Sequence, residues 1–262
     1  MTTTANSATY PIGGDLPVRR LGYGTMQLTG PGHWGLPADV DNAIRILRHA
    51  VDLGVNHLDT ADAYGPHTVE ELIRRALHPY PDGLVIATKG GLTRHGPHRW
   101  APCGRPEYLR QCAEMSLRRL RLDRIDLYYL HRIDQKVPLA DQVGTLNDLR
   151  CEGKIRHAGL SKVSHGQLVA AATHTTIAAV QNHYSPTTQD PILRHAERHD
   201  IAYVAYAPFH RGDLITGPST HPPTTVLNDL LARSPAMLTI PGTAHLGHLI
   251  ENIGGVPAAP SS

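Results

Sequence analysis

Short runs of β-branched and aliphatic residues alternate along the chain with longer segments in which apolar residues recur every three or four positions. The first pattern is typical of buried strands and the second of amphipathic helices. Their alternation predicts βαβ units that supply a parallel sheet. We predict eight strands, at Leu21–Met26, Val55–Asp59, Leu84–Lys89, Ile125–His131, Ile155–Ser161, Ala178–Asn182, Ala202–Tyr206 and Ala236–Ile240.

The helical segments between these strands indicate how the sheet is organised. Eight strands with intervening helices favour a closed α/β barrel, the (β/α)8 or TIM barrel, over an open doubly wound sheet. No GxGxxG motif follows the first strand to support the open form. We expect one barrel domain over residues 1–262. The predicted helices are Asp39–Leu53, Val69–Leu77, Pro106–Leu120, Leu139–Glu152 and Asp190–His199.

Three segments depart from a regular barrel. Residues 1–20 carry a GGD turn between short extended pieces, which predicts an N-terminal hairpin that plugs the barrel bottom. Residues 210–225, rich in Pro, Gly, Ser and Thr, are predicted as loop, so the seventh helix is short or missing and the outer helical ring is incomplete. Residues 253–262 have little apolar content and are predicted to be disordered.

Charge and composition favour small-molecule chemistry. The 25 Lys and Arg and the 23 Asp and Glu are interspersed, so no block of one sign suggests a nucleic-acid or membrane-surface partner. The N-terminal residues do not resemble a signal peptide, and no window reaches the roughly 18 apolar residues that span a bilayer. We therefore expect a cytoplasmic protein with a small-molecule substrate.

No metal site is expected. The three cysteines lack CxxC spacing, and His95 and His98 stand in a Gly/Pro-rich segment without an acidic or Cys partner.

Four polar residues stand at or just after the ends of predicted strands. Asp59 closes HLD, Lys89 closes VIATK, His131 closes DLYYLH, and Tyr64 follows Asp59 in the next loop. In a parallel barrel these ends share one face. An ammonium favours phenolate and a carboxylate keeps the ammonium charged, so a phenol beside such a pair transfers its proton more easily. Each residue alone is better explained as a surface or capping group, but four at corresponding strand ends are hard to attribute to chance, so we predict a catalytic cluster.

The segments HLDTADAY, VIATKGG, RLDRIDLYYLHRID, GKIRHAGLSK, VQNHY and IPGTAHLGHLIEN resemble successive motifs of the aldo-keto reductases, in consistent order over about residues 21–252. In that family a nicotinamide cofactor, usually NADPH, delivers hydride to a carbonyl while a tyrosine donates the proton. The resemblance implies that Tyr64 is the general acid, that Lys89 and Asp59 activate it, and that His131 orients the substrate.

The resemblance also implies a cofactor site at both ends of the nucleotide. Thr25 and Met26 match the segment near the nicotinamide, Ser161 and Gln181 match the groups that hold its carboxamide, and Tyr206 matches the stacking aromatic residue. A helix that begins near His245 would offer backbone N–H groups to phosphate. The adenosine-phosphate end would be lined by Gly242, Thr243, His248, Glu251 and Asn252.

The chain departs from the family pattern at three places. Lys162 replaces the usual Asn of GLSN and brings a cation near the nicotinamide, where repulsion from the oxidised ring costs about 1 kcal/mol at about 4 Å in water. Ala244 and His245 remove a hydroxyl from the expected phosphate pocket, so NADH is an alternative to NADPH. The chain is also shorter between Tyr206 and Ala236, which predicts an apolar wall covered by a loop or by a second subunit in a homo-oligomer.

Three functions remain open on these observations. The first is an NAD(P)H-dependent carbonyl reductase, with a bulky secondary-metabolite intermediate as one substrate class. The second, suggested by Lys162, is a redox-neutral dehydratase, isomerase or cyclase that reuses the acid/base cluster. The third is a non-catalytic scaffold, which the four polar residues disfavour. Trp34, Trp100, His183 and Phe209 are expected near the mouth, although the two tryptophans could equally cover the barrel rim.

Overall fold

Eight parallel strands form a barrel, and each is followed by a helix. The structure is a computed structural model that describes residues 9–184, 190–209 and 221–254. The barrel sheet runs in chain order from the third strand to the twelfth, interrupted in sequence by a hairpin. The strands are β1 (Thr9–Ile12), β2 (Leu16–Arg19), β3 (Tyr23–Gly24), β4 (His57–Asp59), β5 (Val85–Gly90), β6 (Leu92–Gly96), β7 (Arg99–Pro102), β8 (Ile125–Leu130), β9 (Ile155–Ser161), β10 (Ile177–His183), β11 (Ala202–Tyr206) and β12 (Met237–Thr239).

Hydrogen bonds between the first and last barrel strands close the sheet on itself. The backbone N–H of Gly22 donates to Thr239 O at 2.9 Å, and that of Gly24 donates to Pro241 O at 3.2 Å. A Cβ atom at Gly24 would lie 2.7 Å from the carbonyl oxygen of Ile240, so a side chain there would force the two segments apart. Glycine therefore permits the close approach that completes the barrel. The strand that contains it, β3, is shorter than predicted.

The helices pack their apolar faces on the outside of the barrel. Asp39 caps the first of them, because its carboxylate accepts from the backbone N–H of Asn42 at 2.8 Å. The last four helices have only eight or nine residues each. The helices are α1 (Val40–Asp52), α2 (Thr68–Leu77), α3 (Pro106–Leu120), α4 (Leu139–Cys151), α5 (His165–Ala172), α6 (Pro191–Arg198), α7 (Pro223–Leu231) and α8 (Leu246–Gly254).

The seventh helix is short rather than missing. Helix α7 begins at Pro223, inside the segment predicted as loop. Proline suits the first turn because the N–H that it lacks would have no intrahelical acceptor there. Its Leu227, Leu230 and Leu231 are buried. A short helix of the same chain packs on the barrel wall at this point, where a loop or a second subunit was expected. Residues 210–220 of the predicted loop lie outside the described residues.

Two antiparallel hairpins and a C-terminal helix accompany the barrel strands. Strands β1 and β2 pair antiparallel, and Ile12, Leu16 and Val18 fill the lower barrel interior. Strands β6 and β7 form a second antiparallel hairpin after β5, in a segment that the sequence indicated only as Gly/Pro-rich loop. Helix α8 continues through the first two residues predicted as disordered, and Ile253 is buried in the core. Residues 255–262 lie outside the described part of the chain.

A buried polar cluster lies between the barrel, α2 and α3. Glu70 accepts from Arg119 Nε at 2.6 Å and from the Thr88 hydroxyl at 2.7 Å, so its charge is matched. Asp62 is also buried, and its Oδ1 atom has no hydrogen-bond partner among the described residues. Burial and the neighbouring Glu70 raise the pKa of Asp62 to about 7, and a hydrogen bond with Cys112 opposes this only in part.

This pKa gives the stability of the protein a predictable pH dependence. The folded-state pKa of Asp62 exceeds its ordinary value of 3.8. The stability that the protonated carboxyl contributes to the fold is therefore fully present below about pH 4 and is lost as the pH rises through about 7. Asp62→Asn removes this penalty. We expect the stability of the variant, relative to the parent, to rise by a few kcal/mol between pH 5 and pH 8, at about 1.4 kcal/mol per unit of pKa shift. Urea unfolding at both pH values measures it.

The matched control is Asp82→Asn, which neutralises an exposed carboxylate. Its effect on the free energy of unfolding should hardly change over the same pH range. A stability difference for Asp62→Asn that is independent of pH would contradict the prediction.

Candidate active site

The barrel brings Asp59, Tyr64, Lys89 and His131 together at the C-terminal ends of three strands. Asp59 is the last residue of β4, Lys89 lies in the adjacent β5, and His131 directly follows β8. Tyr64 lies in the loop after β4, and all four side chains are buried. The parallel arrangement causes this convergence, because each strand delivers its terminal side chain to the same face.

Lys89 is the centre of the cluster. Its Nζ lies 2.5 Å from Asp59 Oδ1, donates to the backbone oxygen of Thr60 at 2.8 Å and lies 3.3 Å from the Tyr64 hydroxyl. An ammonium has three N–H donors, and these contacts use all of them. Burial alone would lower the pKa of Lys89, but Asp59 and Tyr64 raise it, and the result lies above the ordinary value. Lys89 is therefore charged at neutral pH.

Two residues expected at the nicotinamide end also form hydrogen bonds to Asp59. Gln181 Nε2 donates to the second oxygen of Asp59 at 2.7 Å. The Thr25 hydroxyl donates to the Asp59 backbone oxygen at 2.9 Å. No local pattern predicted these contacts, because they join Asp59 at the end of β4 to the segment after β3 and to β10. They fix the direction in which Asp59 faces Lys89.

Tyr64 retains its proton in the resting site. Burial raises the pKa of Tyr64, the Lys89 ammonium lowers it, and burial prevails, so the pKa lies above its ordinary value. Lys89 thus lowers the pKa of Tyr64 as expected, but burial raises it by more. A neutral phenol close to a fixed ammonium is suited to donate a proton, since the phenolate that forms is stabilised by that charge.

His131 is neutral. Burial and then the positive charges of Lys89 and Lys162 hold the pKa of His131 well below its usual range. Its ring lies 5.9 Å from the Tyr64 ring, centroid to centroid, in an edge-to-face arrangement. A neutral imidazole has one N–H to donate, so His131 can orient a carbonyl oxygen without adding charge.

The hairpin β6–β7 supplies an aromatic wall to this site. The Trp100 ring centroid lies 6.5 Å from that of Tyr64 and 6.4 Å from that of His131. Trp34 is 37% exposed and does not join this contact. Trp100 therefore lines the site, as one interpretation of the tryptophans predicted, whereas Trp34 fits the other interpretation, a residue that covers the barrel rim. Phe209 is partly buried against the core cluster that includes Tyr64. The Gly-Pro-His turn between β6 and β7 was the sequence feature that could have predicted this hairpin.

The side chains expected around the nicotinamide line one edge of the same mouth. Ser161 and Gln181 are buried register neighbours on β9 and β10. Tyr206 ends β11, and its ring lies 5.8 Å from that of His183. Lys162 Nζ lies 5.3 Å from the centre of the Tyr206 ring. The cation noted in the sequence therefore contacts the ring on which stacking was expected.

The residues expected at the adenosine-phosphate end lie just before α8 and along it. The Thr243 hydroxyl accepts from the backbone N–H of His245 at 3.1 Å. Thr243 and Asn252 are buried, whereas Gly242, His248 and Glu251 are exposed. Asn252 therefore belongs to the inner face of the helix rather than to an open pocket. Met26, expected near the nicotinamide, is half-buried on the same side of the barrel as Thr25.

The described residues contain neither a cluster of metal ligands nor a long apolar helix. No group of three or more His, Cys, Asp or Glu side chains there has an arrangement that could hold a metal ion. None of the helices in the described ranges has both the length and the apolar character that a membrane crossing requires.

Comparison with known protein families gives a match over most of the chain. The model of the aldo/keto reductase family matches residues 20–254. The chain belongs to this family. It is accordingly an NAD(P)H-dependent oxidoreductase built on a TIM barrel.

Curated relatives cover most of this aldo/keto reductase. An uncharacterized oxidoreductase of Schizosaccharomyces pombe is 42% identical over 92% of this chain and 82% of its own length. Pyridoxine 4-dehydrogenase of Escherichia coli is 37% identical over 95% of this chain and 92% of its own.

Solved structures agree in fold. A glycerol dehydrogenase of Gluconobacter oxydans has a TM-score of 0.85 at 27% identity, covering 97% of this chain and 91% of its own. An aldo-keto reductase of Klebsiella pneumoniae, solved with NADPH, has a TM-score of 0.74 at 24% identity, with 97% and 90% coverage.

The geometry predicts the effect of removing one oxygen atom from the cluster. Tyr64→Phe keeps the ring that packs against Trp100 and His131 but removes the transferable proton. We expect turnover to fall by about 10²-fold or more, the usual loss for a positioned acid, and stability to fall by about 1–3 kcal/mol because one Lys89 N–H loses its acceptor. Steady-state kinetics and thermal unfolding of both proteins measure this.

Tyr80→Phe is the control, since it removes a hydroxyl that donates to Leu120 O outside the site. Unimpaired turnover in Tyr64→Phe would place the proton donor elsewhere.

Proposed function

We propose that this aldo/keto reductase uses NADPH to reduce an aldehyde and that Tyr64 donates the proton. The observation that carries the proposal is the Tyr64 hydroxyl, 3.3 Å from a lysine whose charge is fixed by Asp59 at 2.5 Å. A scaffold protein gains nothing from burying this triad, because desolvating the charges is costly. The arrangement also suits a redox-neutral step, but the family relationship favours hydride chemistry.

The side chains divide the work of carbonyl reduction. The carbonyl oxygen accepts hydrogen bonds from the Tyr64 hydroxyl and the His131 imidazole, which polarise the bond and fix its orientation. When bound, the cofactor supplies the hydride that the carbonyl carbon accepts. The Tyr64 proton passes to the alkoxide oxygen, and Lys89 stabilises the phenolate that remains. Asp59 keeps Lys89 charged throughout.

Residues of this chain fit a dinucleotide at both ends. Ser161 and Gln181 present polar side chains beside the catalytic cluster, and the Tyr206 ring lies at the mouth. Helix α8 starts at Leu246, and the first N–H groups of a helix attract phosphate. The rings of His245 and His248 lie 5.1 Å apart, centroid to centroid, at the same helix start. They place ring nitrogens where the extra phosphate of NADPH would lie, which supports NADPH over NADH. The family relationship supports the same choice.

The aromatic wall favours a planar substrate. Trp100 is positioned beside Tyr64 and His131, where a flat ring attached to the reacting carbonyl can contact it. The relative named pyridoxine 4-dehydrogenase acts, by its name, on a substituted pyridine. We therefore propose a small aromatic aldehyde such as pyridoxal as the substrate. A bulky secondary-metabolite intermediate was suggested by a shortened barrel wall, and α7 covers part of that wall.

The test is aldehyde-dependent oxidation of NADPH by the purified protein. Pyridoxal and benzaldehyde should give saturable loss of nucleotide absorbance, NADPH should be used more efficiently than NADH, and Tyr64→Phe should abolish most of the rate. The same aldehydes and their hydroxy and keto analogues, incubated without nucleotide, test the redox-neutral alternative. Absence of nucleotide-dependent reduction with every carbonyl offered would overturn the proposal.

Lys162 should make the site discriminate between the two oxidation states of the cofactor. Its Nζ lies 5.3 Å from the Tyr206 ring, so a nicotinamide stacked there lies beside a cation. The oxidised ring is positively charged and the reduced ring is not. Lys162→Asn should therefore tighten NADP⁺ binding several-fold, about 1 kcal/mol, with a smaller change for NADPH. Calorimetry at low and high salt measures both, and the gain should shrink with salt.

Lys136→Asn, at an exposed position of another loop, is the control for general charge effects. Equal changes for NADP⁺ and NADPH in Lys162→Asn would show that the ammonium does not act on the ring.

A further inference from the structure

We infer that Arg94 is a positioning residue for the reaction, because its guanidinium holds Trp100 against Tyr64 and His131. The inference rests on the proposed function for its kinetic consequence but not for its structural one. Arg94 lies on β6 of the hairpin that follows β5, and Trp100 lies opposite it on β7. Neither the sequence pattern nor the catalytic cluster indicated a role for this arginine.

The guanidinium lies directly over the tryptophan ring. Arg94 Cζ is 3.5 Å from the centre of the Trp100 ring and 5.5 Å from the centre of the Trp34 ring. A guanidinium is planar and weakly hydrated, so it stacks on an aromatic face with less loss of solvation than an ammonium. One face of Trp100 is therefore covered by Arg94, and the ring is kept at its distance from the catalytic side chains.

Every N–H of the guanidinium has a backbone acceptor. Nη1 donates to His33 O at 2.9 Å and Ala63 O at 2.6 Å, Nη2 to Gly32 O at 3.2 Å and Gly96 O at 3.4 Å, and Nε to Arg99 O at 3.1 Å. A guanidinium has five N–H donors, which equals the number of these acceptors. No carboxylate pairs with Arg94 in the described part of the chain. The group is thus committed to the protein and is not available to bind a substrate anion.

These acceptors lie in three segments that surround the site. Gly32 and His33 belong to the loop after β3, Ala63 directly precedes Tyr64, and the remaining acceptors belong to the hairpin itself. The loops are also joined to each other, because the Gly65 N–H donates to His33 O at 3.3 Å. Arg94 therefore fixes both partners of one contact, the backbone beside the catalytic tyrosine and the ring that packs against it.

The geometry distinguishes arginine from lysine at this position. A lysine ammonium has three donors on a flexible stem and cannot serve five acceptors in one plane. If only the positive charge matters, Arg94→Lys should behave like the parent. If the planar network matters, Arg94→Lys should resemble Arg94→Met. This difference separates positioning from electrostatics.

The chain contains only two tryptophans, Trp34 and Trp100, so fluorescence reports on the contact without any assay of activity. In a Trp34→Phe background, Trp100 is the only tryptophan, and excitation at the red edge of the absorption band avoids emission from the tyrosines. We expect Arg94→Met and Arg94→Lys to shift its emission and to raise its acrylamide quenching constant at least two-fold. Arg99→Lys, an exposed arginine on the same hairpin, should leave both unchanged. Unchanged quenching in the Arg94 variants, with native circular dichroism, would overturn the inference.

Kinetics then test the functional consequence. Because a displacement of about 1 Å at a reacting centre costs up to about 10²-fold, kcat/KM for benzaldehyde should fall about 10-fold to 10²-fold in both Arg94 variants, while KM for NADPH changes little. In a Trp100→Ala background the further effect of Arg94→Lys should be several-fold smaller. Full additivity of the two substitutions would overturn the link through Trp100. A protein inactive on every carbonyl would refute the proposed function, and the fluorescence result would still decide the positioning.

Discussion

The buried ion pair between Lys89 and Asp59 is the interaction around which the site is arranged. Two charges removed from water are stable only with full hydrogen bonding, and loss of one partner of such a pair costs about 3–5 kcal/mol. In the barrel, Asp59 and Lys89 lie on neighbouring strands and contact each other directly. Gln181, on β10, donates a hydrogen bond to the second oxygen of Asp59. Tyr64 completes the coordination of Lys89. The group that we propose as the acid is therefore also one that satisfies the buried charge.

Topology explains why so much of the site could be predicted from the sequence. A polar residue at the end of a buried strand has one destination in a parallel barrel, so the convergence of Asp59, Lys89 and His131 followed from the strand assignment. The predicted helices agree with α1–α4 and α6 within about two residues at each end. The first strand was predicted too long because only Tyr23 and Gly24 pair with β4, and apolar periodicity does not show where pairing with a neighbouring strand ends.

The features that sequence reasoning missed depend on distant partners. Helix α7 begins within a Pro-rich run that locally favours loop, and burial of its leucines against the barrel stabilises it. The glycines and proline of the β6–β7 hairpin led to a loop prediction for that segment. The guanidinium of Arg94 donates to backbone carbonyls up to 62 positions away in the chain. A backbone carbonyl has no sequence signature, so no local pattern could have indicated this network. The pKa of Tyr64 likewise depends on burial, which the strand assignment did not measure.

The seam between the first and last barrel strands has a consequence for how the protein is made. Arg20 Nε donates to Met237 O at 2.9 Å across 217 positions, and the Gly22–Thr239 hydrogen bond spans a similar separation. A ribosome delivers the N-terminal side of this seam long before the C-terminal side. Until β12 emerges, β3 exposes an unpaired edge, the kind of surface that recruits other chains. Its brevity, two residues in the ladder, limits that hazard during synthesis. A short first strand thus serves the nascent chain as well as the closed barrel.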